Sequence, residues 1–499
     1  MQKTKRFTKK EWSWIMYDWA NSIYATNIMA AIYPTIFAST FPGGDIRWGY
    51  ATSIATFIVA ILAPFLGSIA DHKGMKKKLF TVFALMGILF TPLMAAIGSW
   101  KLCLIGYVIS HIGFAGSNLF YDSFLTDVTT DERMNRVSSW GFAMGYIGGS
   151  TIPFLISIAI LLIFDYNPFA QVFSVLIVSG WWAVFSIPFM KNVKQEHYLA
   201  DAGRITIQGI FQNVIKTFRD ICTRKGLLIF IIAYFFYIDG VNTVITVSTA
   251  YGSTLGLGST GMILALLVTQ IVAMPCSILF AKLSDKTGAR KALSGAVIMY
   301  IIICLVGFYM GFSMEPSQNV CKDIVKNTIA PYTANVTEEE QESFVNDAIS
   351  ILRSENAQEE ISGLNKLTGD DATEAEIRSL LLAAKENDPA AFTEYNSAIS
   401  FSSILFWGMA ILVGCVQGGI QAVSRSYFGK LVPKDRSNEF FGFFDIFGKF
   451  AAVIGPALYA TVAKYTGRSS FGVLGIMLLF IIGIIVLTAG RKHLDNLTK

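Results

Sequence analysis

Charge is scarce in this chain of 499 residues: Asp, Glu, Lys and Arg make up 15%, against 53% apolar side chains. The six cysteines (Cys103, Cys222, Cys276, Cys304, Cys321 and Cys415) are scattered without metal-ligand spacing, so neither a disulfide framework nor a zinc site is indicated. No phosphate-binding loop occurs, and the histidines, cysteines and acids show no catalytic or metal spacing. Enzymatic chemistry, a bound cofactor and ATP-driven work by this chain alone are therefore not expected. Short alternating strands are also missing, which excludes a transmembrane β-barrel.

What is present is long apolar runs. About twelve segments of roughly 20 residues recur, near 12–37, 50–70, 79–98, 103–126, 137–163, 169–190, 227–250, 259–281, 292–313, 399–425, 437–461 and 469–490. A bilayer offers backbone groups no water, so these spans must be helices and the fold class is all-α. The basic N-terminus, Lys3 to Lys10, resembles the start of a signal peptide, but the next segment carries Asp18, Asn21 and Asn27 without a convincing cleavage site and reads as a retained first helix. Loops dense in Lys and Arg (1–10, 71–78, 191–226, 282–291, 425–438 and 491–499) alternate with basic-poor loops, which places both termini in the cytoplasm. The net charge of +5 is a statement about topology, with no nucleic-acid partner implied.

One motif appears twice. Gly67-Ser-Ile-Ala-Asp71-His-Lys-Gly74, followed by Lys76, Lys77 and Lys78, returns as Ser284-Asp285-Lys-Thr-Gly288-Ala-Arg290-Lys291, without the leading Gly. It resembles the loop signature of the major facilitator superfamily, which in that family joins the second and third helices of each half. Other positions match at a related offset: Asp18-x-x-Asn21-Ser22 with Asp239-x-x-Asn242-Thr243, and Asn118 and Asp122 with Gln421 and Arg425. Two six-helix halves follow, 1–190 and 227–499, joined by 191–226. In the linker, Ile207, Ile210, Phe211, Val214 and Phe218 form the stripe of an amphipathic helix on the membrane surface, read as a tether in preference to a regulatory site. An acidic stretch at 315–398 adds about 90 residues to the second half, on the non-cytoplasmic side. Thr337–Glu340 and Thr373–Glu376 read there as capping boxes opening helices. That insertion either docks a protein partner or shields an exit, or is solvated without a role; Asn335 to Thr337 is a glycosylation sequon.

The first helix narrows the resemblance. Tyr17-Asp18-Trp19-Ala20-Asn21-Ser22, Tyr121-Asp122 through Asp127, and Gly418-Gly-Ile-Gln421 through Arg425 to Gly442 resemble the vacuole-effluxer, or autophagy-related permease, branch of that superfamily. The resemblance implies a twelve-helix transporter whose eukaryotic relatives are associated with amino-acid efflux; the short loops point to a bacterial plasma membrane. It also implies that the first and fourth helices of each half line the cavity, which makes Asp18, Asn21, Tyr24, Asn118, Tyr121, Asp122, Asp239, Asn242, Gln417, Gln421 and Arg425 candidate substrate contacts. Spacings of three and four put each set on one helix face. Carboxylates, amides and an Arg together suit a zwitterion, whereas the same groups also serve as interhelical glue.

Asp122 and Arg425 are expected either to pair across the halves or to pair within their own, for instance Arg425 with Glu439. Asp445 and Lys449, one turn apart, most simply neutralise each other. His111, a lone polar residue in the fourth helix, is either a proton relay or satisfied by a hydrogen bond to a neighbouring helix. In the repeated motifs, Gly67, Asp71, Gly74, Asp285, Gly288 and Arg290 form a conformational switch, with the Asp residues capping helix N-termini and the basic residues meeting membrane lipids. The reading is a secondary transporter of an amino acid or similar zwitterion, coupled to protons or sodium if coupled at all. The alternatives are a carrier of amphipathic or lipid-like substrates, or a receptor or scaffold acting through the insertion.

Overall fold

Apolar runs of this length satisfy their backbone only as helices, and a computed structural model of the chain is helical, without strands among the described residues. Those are residues 6–496 apart from 31, 42–43, 96–98, 166, 201–205 and most of 334–370. The first half comprises α1 (Lys9–Ile23), α2 (Ile32–Thr40), α3 (Gly44–Ala70), α4 (Met75–Phe90), α5 (Trp100–Ser123), the short α6 (Leu125–Val128), α7 (Asp131–Gly145), α8 (Ile152–Ile163) and α9 (Pro168–Asn192). After α10 (Ile207–Thr223) the second half follows with α11 (Lys225–Thr254), α12 (Ser259–Thr287), α13 (Ala289–Ile329), α14 (Asp371–Asn387), α15 (Pro389–Leu431), α16 (Ser437–Thr466) and α17 (Ser469–Ala489), then α18 (Arg491–Asn496).

Eleven helical segments among the described residues are long and apolar enough to cross a membrane. The twelfth span is the first, expected at 12–37. Its Asp, Asn and Ser residues make it polar, and it passes from α1 through a π-helical stretch, Tyr24–Ala30, into α2. Such widened turns re-aim side chains and gather at functional sites. The chain enters α1 through a capping box in which Thr8 and Glu11 bond each other's backbone N–H. Glu11 also accepts from Arg133 at 2.6 Å, fixing α1 to α7.

The halves meet where α3 packs on α16 and where α7 packs on α12 and α15. At the first crossing the backbones nearly touch. A Cβ on Gly67 would collide with the Asn438 carbonyl, and one on Gly442 would sit 2.8 Å from the Ala63 carbonyl oxygen.

The ends of the insertion differ from the expectation. The ninth and tenth spans do not stop at 313 and start at 399; α13 continues to Ile329 and α15 begins at Pro389. At about 1.5 Å per residue, their 41 and 43 residues make rods of about 60 Å, twice the hydrocarbon thickness of about 30 Å. The projecting ends pack with α14 and bury Val325, Ile377, Leu381 and Phe392, which continue the apolar core of the bundle. Gln318 and Tyr395 donate to the backbone carbonyls of Thr254 and Leu255, which locks this stalk onto the end of α11. The Thr373–Glu376 box falls inside α14, which starts earlier, at Asp371. Most of the Thr337–Glu340 box, and Asn335 of the sequon, lie outside the described residues.

Candidate functional site

The site is built where α1, α5 and α7 of the first half face α15 of the second. Small and polar residues on α15 allow Arg425 to enter the first half almost completely: it is 4% exposed. Its Nη1 donates to Asp122 Oδ1 at 2.8 Å and its Nη2 to Asp18 Oδ2 at 3.4 Å. Nε reaches the Ser138 hydroxyl and Nη2 the Ser138 carbonyl, both at 3.0 Å. The planar guanidinium lies 4.4 Å from the Phe142 ring centre and 4.7 Å from that of Trp14, a cation–π contact on top of the bonds. Only Arg has a fork able to satisfy this set. Asp18 and Asp122 thus share one cation, and Tyr121 donates to Asp18 Oδ2 at 2.7 Å.

The interdomain pairing of Asp122 with Arg425 is therefore the one realised, joined by Asp18. The alternative, Arg425 with Glu439, is not. Glu439 instead accepts from Arg436 at 3.0 Å and from Thr217 of α10, while Arg436 also donates to Asp220 at 2.6 Å. The linker helix thus docks on the start of α16, where the Phe218 ring meets Phe443, and against α3, where Phe211 meets Phe65; both rings stay about half exposed, and Ile207 is more so.

Around this cluster Asn21 donates to Asn118, and Tyr24 shares a 2.7 Å bond with Ser110. Asp239 and Asn242 lie apart from it on α11. Asp445 and Lys449 are bonded to each other. His111 is satisfied at 3.1 Å by Tyr107, a turn earlier on its own helix and not on a neighbouring one.

The first copy of the repeated motif bonds the halves at the α3–α16 crossing. Asp71, fully buried, accepts from the backbone N–H groups of Asn438 and Glu439, each at 3.0 Å, and from Asn438 Nδ2 at 2.6 Å. It caps α16 across the two halves, where orphan N–H groups attract a carboxylate. Burial, reinforced by the charge of Glu439 and opposed by Lys76, pushes the Asp71 carboxyl up to about 8. Lys76 donates to Asp127 at 2.7 Å and to Ser437 at 3.2 Å, and Asp127 also accepts the N–H of His197 in the linker at 2.8 Å. Gly74 holds the turn at φ +73°.

The second copy is not equivalent. Asp285 is exposed and accepts from the Asn135 side chain at 2.8 Å, without capping a helix; Gly288 has φ +90°, and Arg290 pairs with Asp495 at 2.7 Å. The expectation that both aspartates cap helix N-termini holds for Asp71 and fails for Asp285, whose copy lacks the leading Gly that allows close helix approach.

All these bonds between halves lie on the face that carries the termini. Further from it, a cavity of about 110 Å³ opens within the second half, walled by α11, α12, α13, α15 and α17. Its polar groups include Ser248, Thr269, Gln270 and Gln417; Gly307, Met409 and Val473 belong to the apolar remainder. Gln270 Oε1 is buried with no partner among the described residues. Gln417, Gln421 and Arg425 recur every four residues on α15, so one helix face joins the cavity to the closed interface, about 12 Å apart along the axis. Gln270 lies on the second helix of its half, outside the first and fourth helices from which the sequence candidates came, and Ser248 lies on the first but is a hydroxyl among candidates chosen as carboxylates, amides, tyrosines and an Arg; the one Gln of the span 259–281 was the available signal.

Two six-helix halves closed by polar contacts at one end define the class: a major facilitator transporter, a carrier and not an enzyme. Solved structures share the fold. A bacterial homologue of the iron transporter ferroportin, in its outward-facing state, aligns with a TM-score of 0.60 at 12% identity, over 97% of this chain and 98% of that one. The fucose:proton symporter FucP of E. coli aligns at 0.58 and 13%, over 97% of each chain. The family profile "Vacuole effluxer Atg22 like" matches residues 48–320 and 402–491. An uncharacterized MFS-type transporter, YxiO of Bacillus subtilis (strain 168), is 38% identical over 97% of this chain and 95% of its own. Autophagy-related protein 22-1 of Penicillium rubens is 21% identical over 86% of this chain and 72% of its own. The chain belongs to the Atg22-like vacuole effluxer family of the major facilitator superfamily.

Proposed function

We propose that the protein carries a small amino acid, or a similar zwitterion with a compact apolar side group, across the membrane by alternating access. The observation that carries this reading is Arg425. One half contributes the cation and the other the carboxylates Asp18 and Asp122, on a helix face that leads to the cavity. When the halves part, these groups lose one another and become available to an ammonium and a carboxylate. The side group then takes the apolar cavity. Its 110 Å³ is below the roughly 150 Å³ of an engineered cavity that admits benzene and well below the roughly 300–1,000 Å³ of sites for drug-sized ligands.

The amphipathic-substrate reading draws support from the apolar lining, and the same volume argues against a large lipid. The density of Lys and Arg at the face of the termini supports a cytoplasmic placement for it, in a bacterial plasma membrane. The family's description as effluxers supports export. Counterflow in proteoliposomes against a panel of amino acids, nucleosides and fatty acids tests the proposal. Exchange of amino acids with small apolar side chains is expected, and exchange confined to fatty acids or to none of the panel refutes it.

A further inference from the structure

Asp18 and Asp239 occupy matching places in the first helices of the two halves, yet the fold treats them oppositely. Asp18 receives Arg425 and Tyr121. Asp239 is 0% exposed; its Oδ1 accepts the Gly455 N–H at 2.9 Å and the Thr243 hydroxyl at 3.5 Å, and its Oδ2 has no partner among the described residues.

No cation stands ready to join it. On α16, Lys449 is bonded to Asp445, and Arg436, just before that helix, to Glu439 and Asp220. Lys464 lies near the far end of that helix, and α17 carries no Asp, Glu, Lys or Arg. On α15, Arg425 is taken by the first half, and Lys430 and Glu394 lie toward opposite ends. The other charge on α11 is Lys225, at its start; those of α12 (Lys282, Asp285 and Lys286) cluster at its end; and α10 leads directly into the start of α11, with Gly490, just before α18, lying against Ile229 near that same start. Tyr237, on the same helix, is bonded to Ser424. A charged carboxylate held in a membrane without a partner is costly, and such a residue faces a pathway or binds what neutralises it.

We infer that Asp239 Oδ2 is a proton-binding site that couples the carrier to a proton gradient. A proton from water on the face that opens forms an O–H bond at Oδ2, and that bond breaks to release the proton to water on the other side in the opposite state. The geometry ties this event to the gate. Asp239 grips α16 at Gly455, next to Pro456, which has no N–H to give the helix ladder; Asp71 grips the same helix at Asn438, about 25 Å earlier. A change at Asp239 therefore alters the hold on the helix that the closed interface depends on. This inference rests on the alternating-access reading above.

The first measurement needs no cargo. Infrared difference spectra of the full-length protein in liposomes, between acid and alkaline pH, are expected to show the carbonyl stretch of a protonated carboxyl that titrates in the wild type and is missing in Asp239→Asn. Thr243→Val, which keeps the carboxyl and removes one donor to it, is expected to retain the band with its midpoint moved to higher pH. A band unchanged in Asp239→Asn, or one that responds to sodium and not to pH, overturns the assignment. The second measurement uses the amino acid selected by counterflow: accumulation driven by a pH gradient is expected in the wild type and abolished in Asp239→Asn, and persistence in the variant overturns the coupling. Failure of counterflow itself would strike the cargo reading and leave the infrared result standing.

Discussion

Replacing Asp71 with Ala should open the closed face. The buried carboxyl accepts three bonds from α16, two from backbone N–H groups at its first turn and one from Asn438 Nδ2. In the open state water satisfies those donors in either protein, so the substitution acts on the closed state. Losing a capping side chain costs about 0.5–2 kcal/mol, and each buried donor left without an acceptor about 1–3 kcal/mol. Water entering the space left by the carboxyl pairs those donors, so the capping cost is the one that applies; at its upper end of about 2 kcal/mol, and about 1.4 kcal/mol per factor of ten, the open-to-closed ratio rises about thirtyfold. A reporter cysteine at Ala422, which is fully buried at the interface, reads this ratio as a rate of thiol labelling once the exposed Cys222 is replaced by Ser. In the Asp71→Ala variant, labelling about thirtyfold faster is expected when opening and reclosing are fast relative to modification. An unchanged rate would refute the view that Asp71 holds the halves together.

The same reporter tests the pH response. The Asp71 carboxyl, at about 8 in the closed state, returns toward about 4 once water reaches it. The closed state therefore binds the proton more tightly, so labelling should slow as pH falls through 8 and regain its speed above it; Asp71→Ala should remove that component. Gly67→Ala places a methyl group against the Asn438 carbonyl, and an overpacking cost of about 1–3 kcal/mol should again speed labelling, with circular dichroism unchanged. Arg425→Lys keeps the charge but cannot serve Asp18, Asp122 and Ser138 together; counterflow should fall at least tenfold, and near-normal exchange would show that the fork is dispensable. Gly307→Val grows into the cavity, where a Cβ has only Met409 and Val473 beyond 3.4 Å, so exchange should be lost while thermal stability is kept.

The cluster was only partly visible beforehand. Asp18, Asn21 and Tyr24, or Gln417, Gln421 and Arg425, announce themselves by polar spacing on one face of an apolar helix, which is a local property. The choice between Asp122 and Glu439 as partner for Arg425 is not local. Glu439 is nearer in sequence, but α10 brings Thr217 to its Oε2, Arg436 donates to the same oxygen, and Arg436 is held there by Asp220. The two loop motifs look alike as text, whereas only the first lies at a crossing where Gly67 lets two backbones touch. The cavity was hidden because it is a space between five helices and because its polar residues are uncharged.

Hydrophobic length and the bilayer's lack of water decide the helices, the spans and the class of protein from sequence alone, since each helix satisfies its backbone within itself. Tertiary structure decides which buried charges meet. Arg425 and Asp18 are 407 residues apart, and nothing in either segment specifies the other until the halves close. It also decides that Asp18 is paired and Asp239 is not, although the same motif carries both.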